Sequence, residues 1–287
     1  MIRAIFQYSF MQNALAAALL ASIVTGIIGT IAIEKKLISM SGGIAHASFG
    51  GIGLGYLAGF EPIWGGLAFA IGSSLLISKI SKSKRVNADT MTGILWSFGM
   101  ALGILFISLA PGYMPDMTSY LFGDILAVSS SAVVIMVFFT AAIAAVFVMF
   151  YAYLNAYLFD EEYALASGIN TRALELMIYL MIPAGIIVLI KIVGVILTIA
   201  LMTVPVSIAK LFFKSFGKVV VASMLISAVF SLLGLTASYY VNISSGVCIV
   251  VLASLVYLVI MLTRQRVQSR MHTNKQHKEC QHQKTKD

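Results

Sequence analysis

One histidine stands alone in an apolar stretch. The segment Ser39-Met-Ser-Gly-Gly-Ile-Ala-His-Ala-Ser-Phe-Gly-Gly-Ile-Gly-Leu-Gly55 is rich in glycine and serine, and Gly42, Gly43, His46, Gly50 and Gly53 recur at helical spacings of three and four. As a helix it carries one face of small residues from which a single imidazole projects. Small residues let helices approach closely in lipid, which accounts for the glycines without any chemistry. The imidazole has two readings: a buried side chain bonded to a neighbouring carbonyl, or a transient ligand for a borderline metal such as zinc or manganese. No carboxylate or thiol stands one turn away. A single ligand suits passage better than storage.

Three other groups of residues could do work. Asp160, Glu161 and Glu162 open a run through Ala164 and Ala166 that closes at Gly168, which predicts a short helix with acids at its positive N-terminal end and glycine at its C-cap. Such an acidic, exposed helix is either a solvated connector or a docking point. Further on, Thr198, Thr203, Pro205 and Ser207 punctuate a β-branched stretch. Proline there frees a backbone carbonyl, so the helix either lines a pathway or uses the kink for packing. His272, His277, Cys280 and His282 near the end are residue types that zinc favours, but their spacing matches no closed site and they read as incidental to a basic tail. None of these sets joins a nucleophile, a base and an oxyanion donor, so no catalytic constellation exists. The chain also lacks the Gly-rich loop ending in Gly-Lys-Ser/Thr, and so cannot itself hydrolyse ATP by that route.

The elements that must hold these residues are membrane spans. The chain is 60% hydrophobic and 10% charged, far from the roughly one-quarter charged residues of soluble domains. A spanning helix needs about 20 apolar residues, and nine segments qualify or nearly so: 12–33, 39–59, 62–79, 90–109, 131–154, 174–190, 192–209, 219–240 and 245–263. The first lacks the features of a removable signal peptide. A short interfacial helix is expected at Tyr120-Leu-Phe122. Cys248 and Cys280 do not suggest a disulfide.

Charge sets the orientation. With the tail inside and nine segments alternating, 17 of the 19 basic residues fall in inner loops and the tail, leaving only Arg3 and Lys191 outside. The net charge of +8 is therefore a topology signal, not a sign of nucleic-acid binding, and the tail beside the membrane favours anionic lipid. Within the spans acids are almost absent, which argues against a self-sufficient channel or an ion-coupled transporter. If the protein is a pump, its energy enters through a partner.

Taken together, these features resemble the permease subunits of the ABC transporters that import zinc, manganese or iron, the ABC-3 family. The resemblance runs from the first span to Arg264 and is carried by residues 41–51, by Asp89-Thr-Met-Thr-Gly-Ile-Leu-Trp96, by Tyr120-Leu-Phe-Gly-Asp-Ile-Leu-Ala-Val-Ser129, by Glu161-Glu-Tyr-Ala-Leu-Ala-Ser-Gly-Ile169 and by Lys191 through Pro205. It implies an all-α integral membrane protein with a permease domain of eight to nine transmembrane helices over residues 1–264, and a basic, disordered cytoplasmic tail over 265–287. It also implies a homodimer whose interface holds the path, ATP-binding cassette subunits gripping residues 160–168, and an extracytoplasmic metal-binding protein. The setting would be a prokaryotic plasma membrane, with the N-terminus outside. No cofactor is implied for the chain itself, only a transported divalent metal ion at His46. Many members carry an aspartate four residues before that histidine, where this chain has Gly42. Either the branch differs in substrate or coordination, or Ser39, Ser41 or a residue across the dimer compensates. The Tyr-Leu-Phe-Gly-Asp stretch resembles zinc-importing members and tilts the expectation to zinc.

Overall fold

In hydrocarbon every backbone N–H and C=O must be satisfied within the protein, so the apolar stretches fold as helices. The computed structural model describes residues 8–81, 87–111, 121, 123–241 and 243–284, with 266–284 as backbone only. In chain order the helices are α1 (Ser9–Glu34), α2 (Ile38–Ala58), α3 (Pro62–Ser81), α4 (Ala88–Leu109), α5 (Ser130–Met149) and the short α6 (Tyr151–Phe159) and α7 (Glu161–Ala166). They continue with α8 (Thr171–Val193), α9 (Val195–Phe212), α10 (Phe216–Val241) and α11 (Ser245–Lys284). Eight of these are long and apolar enough to cross a membrane. Helix α2 has the length, but its glycines and serines leave it less apolar than the others. The nine expected segments thus correspond to these eight helices and α2.

One helix boundary differs from the sequence expectation. The segment read as 131–154 is two helices, because the chain breaks at Phe150 (φ −101°, ψ 11°). There Phe147 and Tyr151 both pack on Phe216 of α10, with centroids 5.9 and 5.8 Å away. The expected helix at 120–122 falls on residues of which only Leu121 is described; the following turn is a 3-10 helix at Ile125–Ala127. Beyond Arg264, where composition predicts disorder, the described backbone continues α11 to Lys284.

Helices α1 and α8 form the centre, each with most of its surface buried. Helix α1 meets α10 through hydroxyls: Thr25 Oγ1 lies 3.1 Å from Ser227 Oγ, and Thr30 Oγ1 lies 3.3 Å from Ser223 Oγ. Such small polar contacts replace the hydrophobic effect, which lipid removes as a driving force between helices. Helix α2 is sandwiched between α3 and α4. A Cβ on Gly51 would overlap the carbonyl oxygen of Gly65 in α3, and one on Gly53 would overlap the backbone of Gly103 in α4.

Two further devices hold the helices together, one at an end and one at mid-helix. At the end that carries the link to α5, Asp124 Oδ1 accepts from the Leu126 amide at 3.1 Å and from Ser245 Oγ at 2.8 Å, while Ser245 Oγ accepts from the Ile125 amide at 2.9 Å. Ser244 Oγ donates to the Gly123 carbonyl at 2.9 Å, and Gly123 itself packs on the Val193–Gly194 backbone where α8 gives way to α9. In α8, Pro183 has no N–H to offer the Tyr179 carbonyl one turn earlier, and Ser74 Oγ of α3 donates to that carbonyl at 2.6 Å instead.

The last arrangement predicts that Ser74→Ala costs about 1 kcal/mol by stranding the Tyr179 carbonyl. Adding Pro183→Ala restores an N–H and recovers most of the loss. Thermal unfolding of the purified protein measures both; a double variant no more stable than Ser74→Ala alone would remove this pairing.

Candidate functional site

The small-faced helix α2 presents His46 to α4. The imidazole stacks on Trp96 with centroids 4.2 Å apart and planes 7° from parallel. It is half-buried, and its Nδ1 is buried without a hydrogen-bond partner among the described residues. The reading of a histidine satisfied by a neighbouring carbonyl does not describe that nitrogen. A buried ring nitrogen left open is a lone pair or a proton without an assigned use, and buried polar atoms rarely stay so in a structural role. Trp96 covers one face of the ring and is itself 44% exposed, with Ile94 and Phe98 exposed beside it on α4. The pair therefore sits at the edge of the protomer, not at its centre.

The place of the absent carboxylate is open. A Cβ on Gly42 would meet only Ile199 Cδ1, at 3.9 Å, so nothing steric demands glycine there. Neither serine nearby takes over: Ser41 is buried and donates to the Leu37 carbonyl at 2.9 Å, and Ser39 is exposed on the first turn. Among the described residues no three His, Cys, Asp or Glu side chains gather. One protomer supplies one imidazole.

The expected pathway residues of α9 are brought to this helix. Gly42 and Ser41 share a narrow crevice with Thr198, Ile199 and Thr203. Both hydroxyls are spent locally, Thr198 Oγ1 donating to the Gly194 carbonyl at 2.7 Å and Thr203 Oγ1 to that of Ile199 at 2.8 Å. Pro205 lies buried inside α9. The geometry is that of a helix whose polar groups are satisfied internally and whose small side chains border the Gly42 face.

The acidic segment forms the short helix that its sequence predicts. Asp160 caps it, Oδ1 accepting from the Tyr163 amide at 2.9 Å, and Glu161 and Glu162 occupy the first turn. At the other end Gly168 takes φ 77°, its amide donating to Leu165 at 3.1 Å and that of Ile169 to Ala164 at 3.0 Å. This double-bonded stop needs a left-handed residue, hence glycine. Ala164 is buried against the bundle. Glu162, Tyr163, Leu165 and Ala166 face outward, Tyr163 and Leu165 each 64% exposed.

Charged pairs missed by sequence reasoning lie around these elements. Lys35 reaches Glu161 at 3.0 Å, Glu34 reaches Lys210 at 2.9 Å, and at the opposite end Glu61 reaches Lys191 at 2.9 Å. The sequence signal was weak, since each pair joins residues more than a hundred positions apart. Trp96 stood in a conspicuous stretch, but its partner 50 residues earlier was not legible. The side chains of His272, His277, Cys280 and His282 lie outside the described residues.

Residues 7–264 match the ABC 3 transport family. An uncharacterized membrane protein of Synechocystis is 35% identical over 259 residues, spanning 90% of this chain and 92% of that protein. The manganese transport system membrane protein MntC of Listeria monocytogenes is 30% identical over 261 residues, spanning 91% and 93%. Among solved structures, PsaBC from Streptococcus pneumoniae in complex with Fab superposes with a TM-score of 0.82 at 29% identity, covering 90% of this chain and 93% of that one.

The glycine environments make a test. Gly42→Ala folds with the stability of the parent protein, whereas Gly51→Ala loses about 1–3 kcal/mol by forcing α2 off α3. Yield and thermal unfolding in detergent report both. Equal loss at the two positions would show that the Gly42 face is as tightly packed as the Gly51 face.

Proposed function

The chain belongs to the ABC 3 transport family, and from that premise we propose that it is the permease subunit of an ATP-driven importer of a divalent transition-metal ion. Two copies enclose the path, a separate ATPase grips α7, and an extracytoplasmic protein delivers the metal. The observation that carries this reading is α7 itself, an exposed, fully capped acidic helix whose outward side chains include Tyr163 and Leu165. A channel or an ion-coupled transporter has no use for such a handle.

Other observations support the parts. The α7 end of the bundle also holds Lys35 and Lys210, and basic residues mark the cytoplasmic side. This supports a reading with the ATPase below, the tail inside and the N-terminus outside, in a plasma membrane. His46 and Trp96 lie at the exposed α4 edge, so a path that uses the imidazole is completed by a second copy facing it. Two imidazoles, one from each copy, supply ligands that neither supplies alone.

For the metal, two observations pull apart. MntC is named for manganese, while an imidazole without a carboxylate is a donor better suited to zinc than to manganese. The zinc expectation also rested on the stretch ending at Gly123-Asp124, and these two residues hold α5, α8 and α11 together at one end. We therefore assign the substrate class as divalent manganese or zinc, with direct competition as the arbiter.

In proteoliposomes holding the permease, its ATPase and the binding protein, His46→Ala lowers metal uptake by at least the roughly tenfold that loss of an outer-sphere partner costs a metal site. Dimer assembly is unaffected. The variant Tyr163→Ala/Leu165→Ala loses the ATPase on co-purification. Undiminished uptake in the first would return His46 to packing, and a retained ATPase in the second would remove α7 as its dock.

A further inference from the structure

Glu34 and Lys35 are neighbours in sequence, yet each pairs with a different helix. Lys35 Nζ lies 3.0 Å from Glu161 Oε2 on α7 and 3.4 Å above the ring of Tyr157 on α6. Glu34 Oε2 lies 2.9 Å from Lys210 Nζ, at the last turn of α9. The turn between α1 and α2 that carries them is rigid. The Lys36 amide donates to Ile33 at 3.1 Å and the Leu37 amide to Ala32 at 2.7 Å, with Lys36 held at φ 59°. That is the same double-bonded stop that ends α7, built here on a lysine that adopts the left-handed conformation at a cost. Tyr157 is buried, so the Lys35 stem and ammonium are fixed on one side by the bundle and on the other by the exposed helix.

Exposed ion pairs add little to stability. Their arrangement here links α7 to the start of α2 and the end of α9, which already pack on one another through Ile38, Ser41 and Thr203 and, by way of α1, through Ile33 with Val206 and Ala209. Helix α2 begins three residues after Lys35 and carries Gly42 and His46 in its first turns. Helix α9 carries Thr198, Thr203 and Pro205. A displacement of α7 pulls on Lys35 and hence on the rigid turn, which moves the base of α2 directly and the base of α9 through Glu34 and Lys210.

We propose that the Glu34–Lys35 turn is the transmission element between α7 and the two helices that border the Gly42 crevice, with Lys35 and Glu34 acting as positioning residues for transport. This rests on the reading of α7 as the ATPase dock. It assigns Glu161 inward, to Lys35, and leaves Glu162, Tyr163 and Leu165 to face the partner.

The test uses the complete transporter in proteoliposomes, with manganese and zinc each supplied as the transported ion, and reads ATP hydrolysed per ion moved. Lys35→Glu and Glu161→Lys each raise that ratio by roughly 2- to 30-fold, the span of coupling changes seen along such networks, while the ATPase still co-purifies. The swapped pair Lys35→Glu/Glu161→Lys brings it back towards the parent value. Glu34→Lys, Lys210→Glu and their swap behave likewise. Where Lys35→Glu fails to fold, Glu161→Gln, whose side chain is 60% exposed, gives the same rise. Unchanged ratios in the single variants, or swaps no better than the singles, overturn the relay. A Tyr163→Ala/Leu165→Ala variant that retains the ATPase overturns the docking reading and the relay with it; loss of the ATPase there alongside unrescued swaps overturns the relay alone.

Discussion

Helix α2 approaches α3 and α4 so closely that a methyl group does not fit between the backbones at Gly51 and Gly65, or at Gly53 and Gly103. Most of what is distinctive here depends on that contact. It fixes the rotation of α2, and the rotation puts His46 on Trp96 and turns Gly42 towards α9. A bulkier pair would hold the helices further apart and carry the imidazole away from both neighbours. Dispersion between close backbones and side chains is what remains to drive helix association once the surroundings are as apolar as the helices.

The polar groups inside the bundle follow a second rule: they are satisfied within a turn of themselves or by a single hydroxyl across a helix contact. Thr198 and Thr203 return their protons to their own helix, and Ser74 rescues the carbonyl that Pro183 strands. His46 Nδ1 is an exception at the edge of the protomer. Thr140 Oγ1 and Ser231 Oγ are likewise buried without a partner among the described residues, but neither belongs to an ionisable side chain. The same economy separates the two ends, where ion pairs gather, from the middle, where charge is avoided.

Much of this was legible in the sequence because it is local. Span lengths, the glycine face of α2 and the caps of α7 each depend on residues within a few turns, and the charge distribution divides the loops into two sets. The break at Phe150 was not legible, since no glycine or proline marks it and the rings on either side of it pack on Phe216 of another helix. Nor could a linear reading match Gly51 to Gly65, His46 to Trp96, or Lys35 to Glu161, because those partners are chosen by helix packing. The sequence made His46 a candidate by its isolation. Only the fold showed that Ser41, Thr198 and Thr203, the hydroxyls bordering Gly42, are each spent on a carbonyl one turn earlier.

The low hydropathy of α2 bears on how the chain enters the bilayer during synthesis. A helix in which glycine and serine replace so much leucine gains little by leaving water alone, and insertion is decided by the summed transfer energy of a segment. Its backbone contact with α3 begins after a link of only Gly59, Phe60 and Glu61. The two helices therefore suit insertion as one hairpin, with α3 bringing the hydrophobic area that α2 lacks. His46 would then reach the membrane as a passenger of its neighbour.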